Sequence, residues 1–308
     1  MAIGPAPELS RLTATYLRGV VGVAFISFSS TLVKLSEASP NTITFFRALY
    51  AIPMIALIRF PRRAQDRRTR RDRTMAIAAG LILAVDLMLF HAAIEVIGAA
   101  LGLVLANLQV LFVAFAAFLV YRDRPSRPAF IALPTVLFGA VLLSGLGRAD
   151  SYGTNPGLGV ALGVGAAIAY AAFIMMYRAA SRSTASPAGA LLDATYGTAA
   201  GALLLGVFDS GFDLVPSWPS HGWLVLMAFM VQAVGWLLIG TTLPRLPALA
   251  GSFLILLQPV LGLIWGTSLL DEVISPTQGA GVVLILSGIT LVTWKGSVRQ
   301  SAGSDDPG

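Results

Sequence analysis

Ten apolar runs, each about twenty residues long and bounded by Pro, Gly or charge, divide the chain at roughly 16–35, 42–60, 74–94, 98–120, 127–146, 157–177, 187–208, 221–243, 247–270 and 276–294. That length is what a helix needs to cross the hydrocarbon core of a bilayer. In hydrocarbon every backbone polar group needs an internal partner, so continuous runs of this kind predict helices, and they exclude a β-barrel, whose strands would alternate. The expected fold class is all-α integral membrane, with ten transmembrane helices.

Composition agrees. Hydrophobic residues make up 56% of the 308-residue chain and charged residues 12%, with a mean hydropathy of +0.79. A soluble domain carries roughly a quarter charged residues, so a soluble fold could not hide this much apolar surface. No small-residue cleavage site follows the first run, which is therefore expected to remain as a helix. The polar segment 300–308, acidic at Asp305 and Asp306, is expected to be disordered.

The charges give the chain a direction. With the N-terminus in the cytoplasm, one side collects Arg11, Arg18, the cluster Arg59, Arg62, Arg63, Arg67, Arg68, Arg70, Arg71 and Arg73, then Arg122, Arg124, Arg127, Arg178, Arg182, Arg245, Lys295 and Arg299. Lys34 and Arg148 fall outside, and Arg47 lies within a run. The opposite loops hold Glu37, Glu95, Asp150, Asp209, Asp213, Asp271 and Glu272. This is the positive-inside asymmetry, and it places both termini in the cytoplasm and the protein in the inner (plasma) membrane. The net charge of +6 is thus accounted for by orientation, and no nucleic-acid partner is expected. With no cysteine and only His91 and His221, Cys/His metal sites and disulfide scaffolds are excluded.

Sliding the sequence on itself by 149 positions superimposes Ala99 on Ala248, Gly102 on Gly251, Leu105 on Leu254, Leu108 on Leu257, Gln109 on Gln258, Ser126 on Ser275, Gly139 on Gly288 and Leu142 on Leu291 without a gap. Spans four and five thus repeat as nine and ten. A shift of five helices is odd, so the two copies run in opposite directions across the membrane. The basic residues Arg122, Arg124 and Arg127 have the non-basic counterparts Asp271, Val273 and Pro276. The chain divides into repeats at 1–148 and 149–299. Inverted repeats are an architecture from which alternating access is readily built, with a substrate site near the midplane.

The segments LANLQVLFVAFAAFLVYRDRPSRPAFIALPTVLFGAVLLSG (105–145) and LILLQPVLGLIWGTSLLDEVISPTQGAGVVLILSGITLV (254–292) carry a resemblance to the ten-helix EamA-type branch of the drug/metabolite transporter superfamily. A mid-helix Pro, an acid at the helix end and a following Gly-rich helix form the shared pattern. What the resemblance implies is two five-helix halves, a central cavity lined mainly by spans one, three, four, six, eight and nine, and export or exchange of small metabolites. Val110 stands where Pro259 stands in the second copy, so the bend expected of span nine has no sequence cause in span four.

Ionisable side chains inside spans are functional candidates by default. Arg47, Asp86 and His91 fall in the outer halves of spans two and three, where they can meet. Arg47 suits a carboxylate or phosphate, whether on a substrate or on Asp86 or Glu95, with snorkelling as the structural alternative. Asp86 is a candidate for a substrate ammonium or a coupling proton, or for a fixed pair with Arg47. His91 is a candidate relay for that proton. Asp193, in the inner half of span seven, is expected to pair with Arg178 or Arg182. The midplane amides Asn107, Gln109, Gln232 and Gln258 offer both donors and acceptors to a zwitterion or heterocycle, and otherwise serve as interhelical bonds. Pro259 should bend span nine beside Gln258, while Tyr170, Phe173, Trp236 and Trp265 are candidate cavity walls.

The sequence therefore leads to a secondary transporter rather than an enzyme. It would export or exchange a small polar or amphipathic metabolite, such as an amino acid, a derivative or a cofactor-like compound. No G-x-x-x-x-G-K-[ST] loop occurs, so neither ATP nor another cofactor is expected, and a proton or substrate gradient would drive it. Its expected partners are the solute, the bilayer and, as a coupling candidate, the proton, in a monomer or homodimer. An intramembrane enzyme acting on lipid or lipid-linked substrates is the alternative, with a noncatalytic scaffold as a third reading; Asp86, His91 and Asp193 are scattered for the former.

Overall fold

The computed structural model describes residues 6–122, 127–143, 155–182, 187–246, 248–269 and 275–302. Residues 300–302 of the expected disordered tail instead continue the last helix; Arg124, Arg148, Asp150, Asp271, Glu272 and the tail from 303 lie outside the described residues, as do the side chains of Arg11, Lys34, Arg62, Glu95, Lys295 and Arg299. The elements are α1 (Ala6–Ser27), α2 (Ser29–Ser36), α3 (Pro40–Arg59), α4 (Arg70–Asn107), α5 (Gln109–Tyr121), α6 (Arg127–Leu143), α7 (Pro156–Ala180), α8 (Ala188–Gly206), α9 (Ser220–Met227), α10 (Trp236–Thr242), α11 (Ala248–Ile255), α12 (Leu257–Leu269) and α13 (Pro276–Ala302). A π-helical stretch, Ala228–Gly235, joins α9 to α10. Among the described residues six helical segments are long and apolar enough to cross a membrane, and four shorter apolar helices fall at the remaining expected positions.

Local chemistry starts these helices. Ser39 caps α3 ahead of Pro40, Asn155 caps α7 ahead of Pro156, and Thr69 with Asp72 forms a reciprocal capping box at the head of α4. The boundary expected near residue 96 falls within the single element α4, Arg70–Asn107. The run nevertheless folds back. Leu89 packs beside Gly165 and Leu105 beside Gly163, whereas sixteen residues of straight helix would separate those leucines by about 24 Å. Spans three and four are therefore an antiparallel hairpin.

The packing is paired in the way an inverted five-helix repeat requires. Span three (α4) lies on span six (α7), and its counterpart, span one (α1), lies on span eight (α10 and the π-stretch). Likewise α4 against α8 is matched by α3 against α9 and the π-stretch, and α5 against α7 by α1 against α11 and α12. The couples α3 with α8, α5 with α11 and α6 with α13 each join a helix to its own counterpart.

The tightest crossing is α4 on α8. A Cβ at Gly197 would fall on the carbonyl of Ile77 and one at Gly80 on the carbonyl of Ala194, while Gly201 abuts the Ala84 methyl. The Thr198 hydroxyl donates to the Gly80 carbonyl at 3.2 Å across the crossing. Small residues here let two backbones touch, which is how helices associate when the surrounding solvent is itself apolar.

Gly197→Val is accordingly expected to destabilise the protein by at least about 1–3 kcal/mol, because the obstruction is backbone and cannot move aside. Gly279→Ala, which meets nothing within 4 Å, should leave the melting temperature unchanged or slightly raised. Thermal unfolding of both variants in the same detergent checks this.

Candidate functional site

Among the described residues four spans are interrupted near their middle: span one at Phe28, span four at Leu108, span eight through Ala228–Gly235 and span nine at Leu256. Span one packs on spans eight and nine, and span four on span nine, so the interruptions face a common interior. Span four breaks despite Val110, at a level equivalent to the break beside Pro259 in span nine.

Polar side chains cluster at these breaks. Asn107 and Gln109 flank Leu108, Gln258 and Pro259 follow Leu256, Gln232 lies within the π-stretch, and Thr31 opens the turn after Phe28. The Phe28 ring stacks on Trp265 at 4.2 Å, whose indole nitrogen donates to Ser27 at 2.7 Å. The Gln258 amide lies close to the Tyr170 hydroxyl of α7. Tyr170, Asp86 and His91 all lie within electrostatic range of the buried Arg47 guanidinium. No Arg47–Asp86 ion pair within 4.0 Å is formed among the described residues, so the fixed pair open to the sequence is not made in this conformation. Gln232 donates to Thr195 of α8 at 3.2 Å. Trp236 is enclosed edge-on by Phe173 and Tyr177 at 5.0 and 5.7 Å, and its carbonyl accepts from the Tyr177 hydroxyl. The candidates therefore separate into one connected set, Arg47, Asp86, His91, Tyr170 and Gln258, and a neighbouring wall of Gln232 and Trp236.

Several of these groups are buried with an unused hydrogen-bonding atom: Arg47 Nε, His91 Nδ1, Asn107 Nδ2, Gln109 Oε1, Gln232 Oε1 and Thr31 Oγ1. Each such atom costs about 1–3 kcal/mol when left unpaired. Four of the six, on Thr31, Asn107, Gln109 and Gln232, stand at or beside helix breaks, marking a polar interior that solute or water completes. Thr31 escaped the sequence reading because a lone Thr in an apolar run carries no distinguishing signal.

The ends of the bundle are held by two straps related by the repeat. At one end the Arg68 fork grips Asp66 at 2.9 and 3.0 Å, Arg59 reaches the same carboxylate at 3.0 Å, and Arg68 Nη1 lies 2.9 Å from Asp193 of α8. The sequence expectation of Arg178 or Arg182 for Asp193 is corrected: loop 60–69 delivers Arg68 onto the first turns of α8, where Gly189 leaves room for it. At the other end Asp209, after α8, accepts from Asn41 at 3.0 Å and Ser39 at 3.4 Å at the head of α3, and Thr42 exchanges hydrogen bonds with the Asp213 backbone. Tyr50 meets His221 Nδ1 at 2.7 Å nearby. One strap is ionic and buried, the other neutral apart from Asp209.

A cavity opens at each end. One of about 490 Å³ lies among Glu37, Thr42, Asp213, Trp218 and His221. The other, about 330 Å³, lies among Ser181, Arg182, Gly240, Thr241, Pro244 and Arg245.

Comparison with known proteins follows the geometry. The model of the EamA-like transporter family matches residues 13–145 and 157–294, one match to each half. A protein of known crystal structure superposes with a TM-score of 0.77 at 16% identity, over 94% of this chain and 99% of its own, which is a likeness of fold. No curated protein matches by sequence.

Hydrogen bonds from Arg68 outweigh burial and hold the Asp66 carboxyl well below its usual range. A lowered folded-state value adds stability that is complete above the unfolded value near about 4 and is lost as pH falls below it. Asp66→Asn should therefore lower the melting temperature at neutral pH and flatten the acid limb of the stability curve. Detergent-phase melting from neutral pH down to about pH 3 reads both effects.

Proposed function

Because the chain belongs to the EamA-like transporter family, a family of multi-pass membrane transporters, we propose that it is a secondary transporter exporting or exchanging a small polar or amphipathic metabolite by alternating access. We place both termini on the cytoplasmic side of the inner membrane, where the arginine-rich loops then lie. The observation that carries the reading is the set of buried polar atoms without partners at the breaks of opposed spans, between cavities opening at opposite ends.

The chemistry follows from the groups. Asn107, Gln109 and Gln258 present amide donors and acceptors from both halves, so a solute can be held without a full charge being desolvated. Tyr170, beside Gln258, adds a hydroxyl to that amide set. Gln232 and Trp236 form the adjoining wall. Arg47 provides a fork for an anionic group, while Asp86 and His91, unpaired with it at contact distance, are free to take a substrate cation or a coupling proton. Interrupted helices supply the bending points, since a break already lacks the bonds that a straight helix would have to lose.

The test is solute flux in reconstituted vesicles, guided by comparative metabolite profiles of medium and cytoplasm from expressing cells. Gln109→Ala/Gln258→Ala should reduce flux of the moved compound about tenfold or more, each lost hydrogen bond to a polar solute being worth about 1 kcal/mol or more, at unchanged membrane abundance. Asp86→Asn should abolish accumulation driven by a pH gradient yet spare exchange. If the wild type redistributes no compound under several growth conditions, the transport proposal fails; formation of a new lipid product instead would favour the enzyme.

A further inference from the structure

Charge is distributed along this chain in an unusual way. Between Arg59 and Arg73 stand eight arginines and two aspartates, and that surplus equals the +6 of the entire protein. Every other segment together is balanced. The repeat-related loop 207–219 contains Asp209 and Asp213 and no basic residue, so the fold itself does not call for the arginines.

The structure divides them into two sets. Arg59, Arg68 and Arg73 turn inward onto Asp66. Arg63, Arg67, Arg70 and Arg71 are exposed and have no carboxylate within ion-pair distance among the described residues. The two acids of the segment are both engaged: Asp66 by Arg59 and Arg68, and Asp72 by Thr69 in the capping box. Beside the exposed set lie two large apolar side chains in the open: Leu57, 76% exposed, and Phe60, 62% exposed. The Arg63 guanidinium carbon sits 4.6 Å from the centre of the Phe60 ring, a cation–π contact that holds the fork in place. Leu57 belongs to the last turns of α3 and Phe60 follows its end, so the pair stands where hydrocarbon gives way to headgroups.

We propose that this loop is a binding site for anionic phospholipid, with Arg63, Arg67, Arg70 and Arg71 receiving headgroup phosphates and Phe60 and Leu57 lying against the adjoining acyl chains. Guanidinium and phosphate match as planar fork to paired oxygens, and a group of four or more basic residues directly beside a membrane helix is the charge density that retains anionic lipid. The apolar pair selects lipid over a free anion, because inorganic phosphate would leave it bare. Attraction of scattered positive charge to one face explains orientation, but it does not call for four unpaired forks within nine residues around an aromatic ring. The proposal is independent of what the protein carries.

The experiment titrates the purified full-length protein in detergent with phosphatidylglycerol, cardiolipin or phosphatidylcholine, and separately with inorganic phosphate. Lipid retention is read by native mass spectrometry and stabilisation by melting temperature. The wild type should retain the two anionic lipids and not phosphatidylcholine. Arg63→Gln/Arg67→Gln/Arg70→Gln/Arg71→Gln should weaken that retention about tenfold or more, while the matching four Arg→Lys changes keep most of it and show that the loop still folds. A distal set on the same face, Arg122→Gln/Arg127→Gln/Arg182→Gln/Arg245→Gln, should bind as the wild type does. Equal retention of phosphatidylcholine, equal loss in the distal set, or full stabilisation by phosphate alone would each overturn the proposal.

Discussion

Hydrocarbon offers nothing to a peptide N–H or C=O, and that prohibition organises this molecule. A span can leave its helical path only where other protein groups or an internal polar space receive the released bonds. The interruptions at Phe28, Leu108, Ala228–Gly235 and Leu256 are therefore positional statements as much as local irregularities. Each occurs on a span that packs inward against another interrupted span, and each has an amide or hydroxyl within a few residues. The location of the polar interior follows from the solvent's refusal to solvate backbone.

The uninterrupted helices do different work. α3 and α8 lie against one another as counterparts, and the part of α4 that crosses α8 does so at backbone contact through Gly80 and Gly197. Contacts of that kind have no slack, since nothing in them is a flexible side chain. Interrupted spans one and nine meet through side chains, Trp265 on Phe28, which have rotamers to exchange, while spans one and eight approach at Gly22 and Gly235. Backbone contact at glycine sets the α4–α8 frame, and what distinguishes the interior spans is their broken turns.

Much of this was legible beforehand. Span positions came from run length alone, the inverted repeat from gap-free register, and the pairing of Gln109 with Gln258 from that repeat; both amides do flank a break. The break in span four was not legible, because with Val110 in place of proline the chain has no covalent reason to leave the helix there, and the cause is tertiary. The partner of Asp193 was missed for a related reason. Arg178 and Arg182 are closer along the chain, but Arg68 reaches it from a loop more than a hundred residues upstream, and long arginine side chains erase sequence distance. The turn between spans three and four was legible from run length, which placed it near residue 96, and Leu89 and Leu105 lying against Gly165 and Gly163 agree with a reversal between them.

The two straps set an order of assembly. Asp66 and Arg68 are two residues apart, so their fork can close as soon as the first loop is made. Asn41 and Asp209 are separated by 168 residues, and Asp193 likewise lies in the second half. Neither strap can be completed until the seventh span is in place, however well the first five have packed. Until then the first half carries an arginine fork and a row of capped polar side chains at opposite ends, both already shaped and both waiting. The second half meets a prepared template at each end of α8, and the join between the halves is checked twice, once by an ionic fork and once by a hydrogen-bonded carboxylate.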